Sequence, residues 1–106
     1  MKTITAAKNI ITEELGTSGV HPLKILLFGS RARPNPRADS DWDFYIVVDK
    51  EHPYAERRET VSRIRTRLAL AGIVADVFVH TEQFVAQRKN NTGYLTYYAL
   101  KDGVPI

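Results

Sequence analysis

Residues 26–48, LLFGSRARPNPRADSDWDFYIVV, place acids at the start of a run that otherwise indicates buried core. The run WDFYIVV, residues 42–48, is rich in aromatic and β-branched residues and predicts a strand. Because strand side chains alternate between two faces, Asp41 and Asp43 share one face, and alternate apolar residues from Trp42 onward share the other. We therefore expect the apolar set to pack beneath helices and the two carboxylates to be neighbours on the open face of a sheet.

A third acid interrupts another strand that looks buried. The run IVADVFVH, residues 73–80, predicts a strand in which Asp76 shares a face with Phe78. If the two strands are neighbours, Asp76 converges with Asp41 and Asp43, and such close like charges repel unless a cation lies between them. Mg²⁺ takes oxygen ligands, and two such ions about 3.5 to 4 Å apart can clamp both oxygens of a phosphoryl displacement. The three acids therefore predict a magnesium site, with two ions expected.

The loop before the acids suits the phosphate half of such a site. Gly29 and Ser30 follow LKILLF, residues 23–28, a short apolar run that predicts a buried strand. The residues SRAR can begin a short helix whose free N–H groups and positive dipole end attract phosphate. Ser30 adds a hydroxyl donor, Gly29 lets the backbone come close, and Arg33 can neutralise phosphate charge. A strand-Gly-Ser turn alone is more often an ordinary turn, so the order of turn, loop and acids favours the phosphate site.

Composition and charge indicate an ordinary globular protein. The chain has 106 residues, 43 % hydrophobic and 25 % charged, and a domain of this length buries roughly 60 to 70 % of its unfolded surface. It has no cysteine, which excludes disulfides, thiolate metal sites and a cysteine nucleophile and fits a reducing cytoplasm. Its start, MKTITAAKNIITEELG, lacks the apolar core of a signal peptide, and no segment approaches the ~20 apolar residues that span a bilayer. We expect a cytoplasmic protein without a membrane role, and its net charge of +3 suits an anionic ligand.

Helices alternate with the strands along the rest of the chain. Helical spacing of apolar residues and the placement of Pro and Gly predict helices at residues 4–15 and 53–71, a third capped by Thr81, and a last one at residues 94–101 that Gly103 ends. This order predicts one domain, residues 1–106, of the α/β class in its α+β form. Its two layers would be a small mixed sheet and helices on one face of that sheet.

With these features, the sequence resembles the minimal nucleotidyltransferase domains of the DNA polymerase β-like nucleotidyltransferase superfamily. The family motif is Gly-Ser-x-Ala-Arg-Gly, a short loop, then Ser-Asp-x-Asp and a hydrophobic strand. Here residues 29–34 are GSRARP and residues 40–43 are SDWD. The family's third acid corresponds to Asp76, and the final YYALKDGVPI is similar to the usual family ending. Pro34 departs from the pattern, because it replaces a glycine, fixes φ and removes an amide donor.

The resemblance implies a reaction and a set of roles. Asp41 and Asp43 would bind both metal ions, and Asp76 would bind one and help deprotonate an attacking hydroxyl. Gly29 and Ser30 would hold the β- and γ-phosphates of ATP or another nucleoside triphosphate. Arg33 and Ser40 complete the expected nucleotide-binding set. The hydroxyl would attack the α-phosphate, giving a nucleotidylated product and pyrophosphate.

The resemblance also implies a partner. Small members of this family often pair with a helical HEPN-domain protein, act as its antitoxin, and in some cases transfer AMP to one of its tyrosines. Residues 1–106 hold no second helical domain of the kind that binds small acceptors in larger relatives, so we expect a HEPN-type partner or a second copy to share the acceptor site. One alternative is a catalytically weak or inactive nucleotide-binding subunit that neutralises a HEPN partner by occlusion. A nucleic-acid-binding domain is a third reading, and the acidic open face argues against it.

Several conspicuous residues also have plainer explanations. Arginines crowd the helix at 53–71, where glutamates among them favour a solvated, ion-paired face, and a docking face for an acidic partner is the minority interpretation. The histidines lack metal-ligand spacing and suit surface or capping roles. Asp39 is expected to be a loop acid, and the tyrosines of the last helix are expected to form core and interface.

Overall fold

The computed structural model describes residues 2–106 as four helices around a four-stranded sheet. The elements are, in chain order, α1 Lys2–Gly16, β1 Pro22–Phe28, a 3-10 turn Gly29–Ala32, β2 Trp42–Val48, α2 Tyr54–Leu70, β3 Ala75–Thr81, α3 Glu82–Arg88, α4 Leu95–Asp102 and β4 Val104–Pro105. Among these residues no helix is both long and apolar enough to cross a bilayer.

The sheet is mixed, and its strand order is β3-β2-β1-β4. β1 runs antiparallel to both β2 and β4, whereas β2 and β3 are parallel. A parallel pair needs a crossover, and α2 supplies it. The resulting register sets Asp43 of β2 directly beside Asp76 of β3. β3 and β4 are left as the two outer strands.

The larger of two apolar cores lies between the sheet and the helices α1 and α2. Its fully buried side chains include Ile11, Leu15, Phe44, Ile46, Ile64 and Leu68. Two ion pairs reinforce this layer. The Glu14 carboxylate of α1 pairs with Arg63 at 3.1 Å and with Arg67 at 2.9 Å. The Glu14 side chain is only 14 % exposed, so these pairs are better shielded from solvent than an ordinary surface pair.

A smaller core covers part of the opposite face. There Tyr45 and Val47 of β2 pack with Val85 of α3 and Ala99 of α4. The mixed sheet and the α+β class are confirmed, but the expectation that helices occupy one face describes α1 and α2 only. The physical reason is that β2 is apolar on both faces beyond Asp43, so its second face also needs cover.

The predicted elements match the observed ones closely. β2 occupies the predicted residues, and Thr81 caps α3 by accepting a hydrogen bond from the Phe84 N–H at 3.2 Å. β3 begins at Ala75, two residues later than the predicted start at residue 73, although the Val74 carbonyl already accepts the Trp42 N–H. β4 was not predicted, because it has two residues and one is a proline.

Ile64→Ala should lower the free energy of unfolding by about 2 to 5 kcal/mol, because it leaves a cavity at a fully buried position of α2. The matched control is Leu70→Ala on the same helix, where the side chain is 83 % exposed and the change should stay within about 0.5 kcal/mol. Urea unfolding followed by circular dichroism measures both. Equal losses in the two variants would contradict the packing of α2 described here.

Candidate active site

The predicted acids gather at the start of β2 and β3. Asp43 points away from α1 and α2, since Trp42 and Phe44 on either side of it belong to the larger core. Asp76 is its register neighbour on β3, and 55 % of the Asp76 side chain is exposed. Asp41 lies just before β2 and is exposed. The structure thus brings Asp43 and Asp76 together on the open face, with Asp41 at the same end of β2.

Electrostatics show that the three carboxylates influence one another. Burial raises the pKa of Asp43 above its ordinary value of 3.8, and the charges of Asp76 and then Asp41 raise it further. Each contribution disfavours the ionised form of Asp43. A cation among these oxygens would reverse that repulsion, so the donor set suits a hard divalent ion.

The hairpin geometry explains why the Gly-Ser turn and the acids belong together. Phe28, the last residue of β1, pairs with Asp43 across the antiparallel ladder, so the turn that follows Phe28 starts beside the carboxylate. Gly29 adopts a φ of +72°, and a Cβ at this position would collide with Asp43 Oδ2. Glycine is therefore required at position 29 for two reasons, the positive φ of the backbone and the close approach of the Asp43 side chain.

The loop between turn and acids is held by an arginine to which the sequence analysis gave no role. Arg31 donates from Nε to the Ser40 carbonyl at 2.9 Å and from Nη2 to the Ala38 carbonyl at 2.8 Å. Its guanidinium also lies 4.6 Å from the centre of the Trp42 ring. These contacts fix the chain immediately before Asp41. The residue type alone could not reveal this, since an arginine in a phosphate-loop motif equally suggests a phosphate contact.

The four predicted nucleotide-binding residues occupy different places around the turn. Gly29 and Arg33 line a cavity of 510 Å³ beside the turn, which Pro34 also lines. Ser30 lies within the single 3-10 turn, where its carbonyl accepts the Arg33 N–H at 3.1 Å. Ser40 lies in the loop, held by Arg31. The turn is four residues long, so any helix-dipole contribution to anion binding is small.

Helix α4 also contributes to the wall of this cavity, which no sequence pattern indicated. Tyr98 and Asp102 line the same cavity as Gly29. A hydrogen bond of 2.7 Å between the hydroxyls of Tyr45 and Thr96 helps hold α4 against the sheet. The cavity therefore presents an aromatic ring and a carboxylate next to the glycine turn. Only the packing of α4 on β1 and β2 could reveal this neighbourhood.

The acids are not arranged around a common centre in this conformation. Among residues 2–106, no group of three or more His, Cys, Asp or Glu side chains is placed to hold a metal ion. Asp76 Oδ1 instead faces Arg65 Nη2 at 3.9 Å. The charges of Asp76 and Asp41 act on Asp43, and all three side chains offer oxygen donors, which suits a divalent ion. The side chains of Asp41 and Asp76 are exposed enough to rotate toward such an ion. The oxygen chemistry of these residues is suited to a divalent ion, although their side chains do not converge on one centre in the described structure.

Comparison with known families agrees with this geometry. Residues 9–106 match the profile of the family described as "Polymerase beta, Nucleotidyltransferase". The chain belongs to this family. A search of curated proteins returned no match.

Family membership identifies a nucleotidyltransferase fold and, in general terms, a nucleotidyl-transferring enzyme. The α+β architecture with its mixed sheet agrees with that fold. Domains of this kind generally use a nucleoside triphosphate and divalent metal ions. The match does not extend to a subfamily, a partner or a particular substrate.

Gly29→Ala should destabilise the protein more than Gly19→Ala. Gly19 has a nearly identical φ of +71° but open space around a Cβ, so its variant isolates the backbone strain, about 1 to 2 kcal/mol. Gly29→Ala adds the collision with Asp43 and should cost at least about 1 kcal/mol more. Urea unfolding gives both values. Equal destabilisation would show that Asp43 yields freely and that the close approach is unimportant.

Asp76→Asn should lower the pKa of Asp43 toward its ordinary value without reaching it, because burial remains the larger cause of the shift. NMR titration of the side-chain carboxyl carbon in EDTA-treated protein measures this, and Asp39→Asn is the control in an exposed loop. Because the folded-state pKa is raised, Asp43 contributes stability that is full below 3.8 and is lost as pH rises through the raised pKa. An unchanged Asp43 titration in Asp76→Asn would contradict the coupling.

Proposed function

We propose that this protein is a Mg²⁺-dependent nucleotidyltransferase that transfers a nucleoside monophosphate, with AMP from ATP as the first case to test, to a hydroxyl on a partner protein. We further propose that the partner is a HEPN-type helical toxin and that the modification silences it. The observation that carries the catalytic part is Asp43, whose carboxylate lies between the Gly29 turn and Asp76. The charges of Asp76 and Asp41 both raise the pKa of Asp43, a repulsion that a bound cation would relieve.

The residues of this chain suggest how the substrates would be held. The cavity beside Gly29 is large enough for part of a nucleotide, and Arg33 supplies positive charge at its rim. The backbone amides of Gly29 and Ser30 in the turn would donate hydrogen bonds to the β- and γ-phosphates. Tyr98 offers a ring on which a base can stack, and Arg31 keeps the loop before Asp41 in one conformation.

The proposed reaction is an in-line displacement. The acceptor oxygen forms a bond to the α-phosphorus, the bond from that phosphorus to the bridging oxygen breaks, and pyrophosphate leaves. Asp76 accepts the acceptor's proton on a carboxylate oxygen, which its exposure on the open face permits. Asp41 and Asp43 would hold divalent ions, which supply charge neutralisation for the phosphate oxygens when bound. Positioning and charge stabilisation carry most of such catalysis.

The alternative function is neutralisation by occlusion, with little or no transfer. It is favoured by one observation, the pairing of Asp76 with Arg65 at 3.9 Å, which gives the third acid a partner other than a metal ion. If that pairing persisted when nucleotide was bound, the subunit would bind nucleotide and cover its partner without chemistry. The two functions differ in whether label from the α-phosphate reaches protein.

The test is incubation with ATP labelled at the α-phosphorus and Mg²⁺, alone and with the protein encoded by the adjacent reading frame. We expect label on protein and release of pyrophosphate. Asp43→Asn should reduce both by about a hundredfold or more, because it removes a charge at the reacting centre. Asp39→Asn, an exposed loop acid paired with Arg37, should leave them unchanged.

Two further readings separate the alternatives. Broadening of the Asp43 amide resonance by Mn²⁺ reports metal binding without requiring catalysis, and Asp43→Asn should abolish the metal effect. Metal and nucleotide binding without label from any of the four triphosphates, while the partner complex still forms, would establish the occlusion function instead. Label that persists in Asp43→Asn would place the chemistry elsewhere.

A further inference from the structure

A second concave surface lies along β3, apart from the cavity beside Gly29. This β3 groove has a volume of 640 Å³ and is bounded by Arg57, Arg58 and Arg65 of α2 and by the β3 residues Val77, Phe78 and His80. The catalytic proposal uses none of these six residues as a ligand or base. The groove therefore needs its own explanation.

The first relevant feature is an unpaired strand edge. β3 is the outer strand of the sheet and pairs only with β2 among the described residues. In a parallel ladder alternate residues turn their backbone groups toward the neighbouring strand, and the Trp42 N–H donates to the Val74 carbonyl. Ala75, Val77 and Val79 therefore turn their N–H and C=O groups toward the groove. The Ala75 carbonyl already accepts a hydrogen bond from Arg65 Nε at 3.3 Å.

The second feature is a division among the arginines of α2. Arg63 and Arg67 are engaged by glutamates of α1, and Arg63 also by Glu59. Arg57, Arg58 and Arg65 instead face the groove, where none of the described lining residues is acidic. Arg57 and Arg58 lie near the Tyr54 ring at 5.6 and 5.7 Å and form no ion pair within residues 2–106.

The groove is thus positively charged through its arginines. The one other titratable group on its wall is His80, whose pKa is lowered to about 4 by burial and then by Arg57 and Arg88. His80 is neutral at pH 7, so the charge at the groove comes from the guanidinium groups. From Ala75 to His80 the groove follows β3 for about 16 Å, the length of five residue steps in an extended strand.

We propose that the β3 groove binds an extended, acidic segment of a partner protein, which adds to the sheet as a fifth strand. Main-chain hydrogen bonds to the free edge would supply affinity, and carboxylates over α2 would meet the arginines. Because side chains alternate along a strand, acidic residues should occur at every second position of the segment. The residues between them would lie on the open face near Phe78 and are expected to be apolar.

Two other occupants fit less well. A second copy paired edge to edge through β3 about a twofold axis would set the arginines of one α2 against those of the other, which is repulsive. A nucleic acid could satisfy the arginines and the outward N–H groups, but its phosphates only accept hydrogen bonds. The outward carbonyls of Val77 and Val79 would then face phosphate oxygens without a donor.

Selection from a library of random twelve-residue peptides displayed on phage tests the proposal, since it needs no knowledge of the partner. We expect enrichment of acidic peptides with alternating apolar residues. Affinity of a selected synthetic peptide should fall by about tenfold or more for Arg57→Glu/Arg58→Glu, because attraction becomes repulsion. The matched control is Lys8→Glu/Lys24→Glu, with the same change of charge at exposed positions outside the groove.

Strand addition has a specific signature beyond charge. Bound peptide should slow amide hydrogen exchange at Val77 and Val79, whose N–H groups point outward, and leave Phe78 unchanged. Two versions of the peptide are methylated at alternate backbone nitrogens, one at the odd and one at the even positions, and both keep the charges of the peptide. The version whose methyl groups replace the N–H groups that face β3 should not bind. Selected peptides without acidic bias, equal binding by both charge variants, or full binding of both methylated versions would overturn the proposal.

The rival nucleic-acid occupant is tested with a labelled single-stranded oligonucleotide. Arginine-dependent binding of that oligonucleotide, with no acidic peptide selected, would also overturn the proposal. All of these readouts measure binding to metal-free protein. A failure here therefore leaves the nucleotidyltransferase assay unaffected, and a failure of that assay leaves this proposal standing.

Discussion

The parallel pairing of β2 with β3 is the constraint on which the rest of the site depends. It sets Asp43 and Asp76 side by side, at a spacing where two ionised carboxylates repel, and that repulsion contributes to the raised pKa of Asp43. The fold cannot relieve it by moving either strand, because the buried neighbours of Asp43 fix the register from the core side. Gly29 then closes on Asp43 from the β1 side. The same geometry leaves carboxylates whose mutual repulsion a bound cation would relieve.

The arginines of α2 serve two structural purposes, which the helix separates by face. Arg63 and Arg67 bind Glu14 and so join α2 to α1 over the larger core. Arg57 and Arg65 lie on the flank that lines the β3 groove. A helix flank that borders an unpaired strand edge can meet the side chains of a further strand added at that edge. One flank of α2 is therefore ion-paired to α1, and the other carries the arginines on which the docking proposal rests.

The sequence predicted the local features well and the long-range ones poorly. β2 was predicted to the residue because its continuous apolar run, its aromatic and β-branched composition and its flanking polar residues agree. The two-residue strand at 104–105 carries no such pattern, since it exists only through pairing with β1. Tyr98 reaches the cavity through packing of α4, and Arg31 holds the loop by a side-chain direction that residue type does not specify. The neighbourhood of Asp76 and Asp43 was correctly anticipated, but only on the assumption that their strands adjoin.

β3 connects the two sites, because it carries Asp76 on its open face and offers its backbone edge to the groove. Arg65 touches both, facing the Asp76 carboxylate at 3.9 Å and donating to the Ala75 carbonyl at 3.3 Å. An acidic segment in the groove would compete for Arg65 at both contacts, and release of Asp76 would leave it free to turn toward Asp43. Binding at one site would then favour binding at the other, and such coupling is reciprocal. The Asp76–Arg65 pair is thus the contact of this site with which a docked acidic segment would compete most directly.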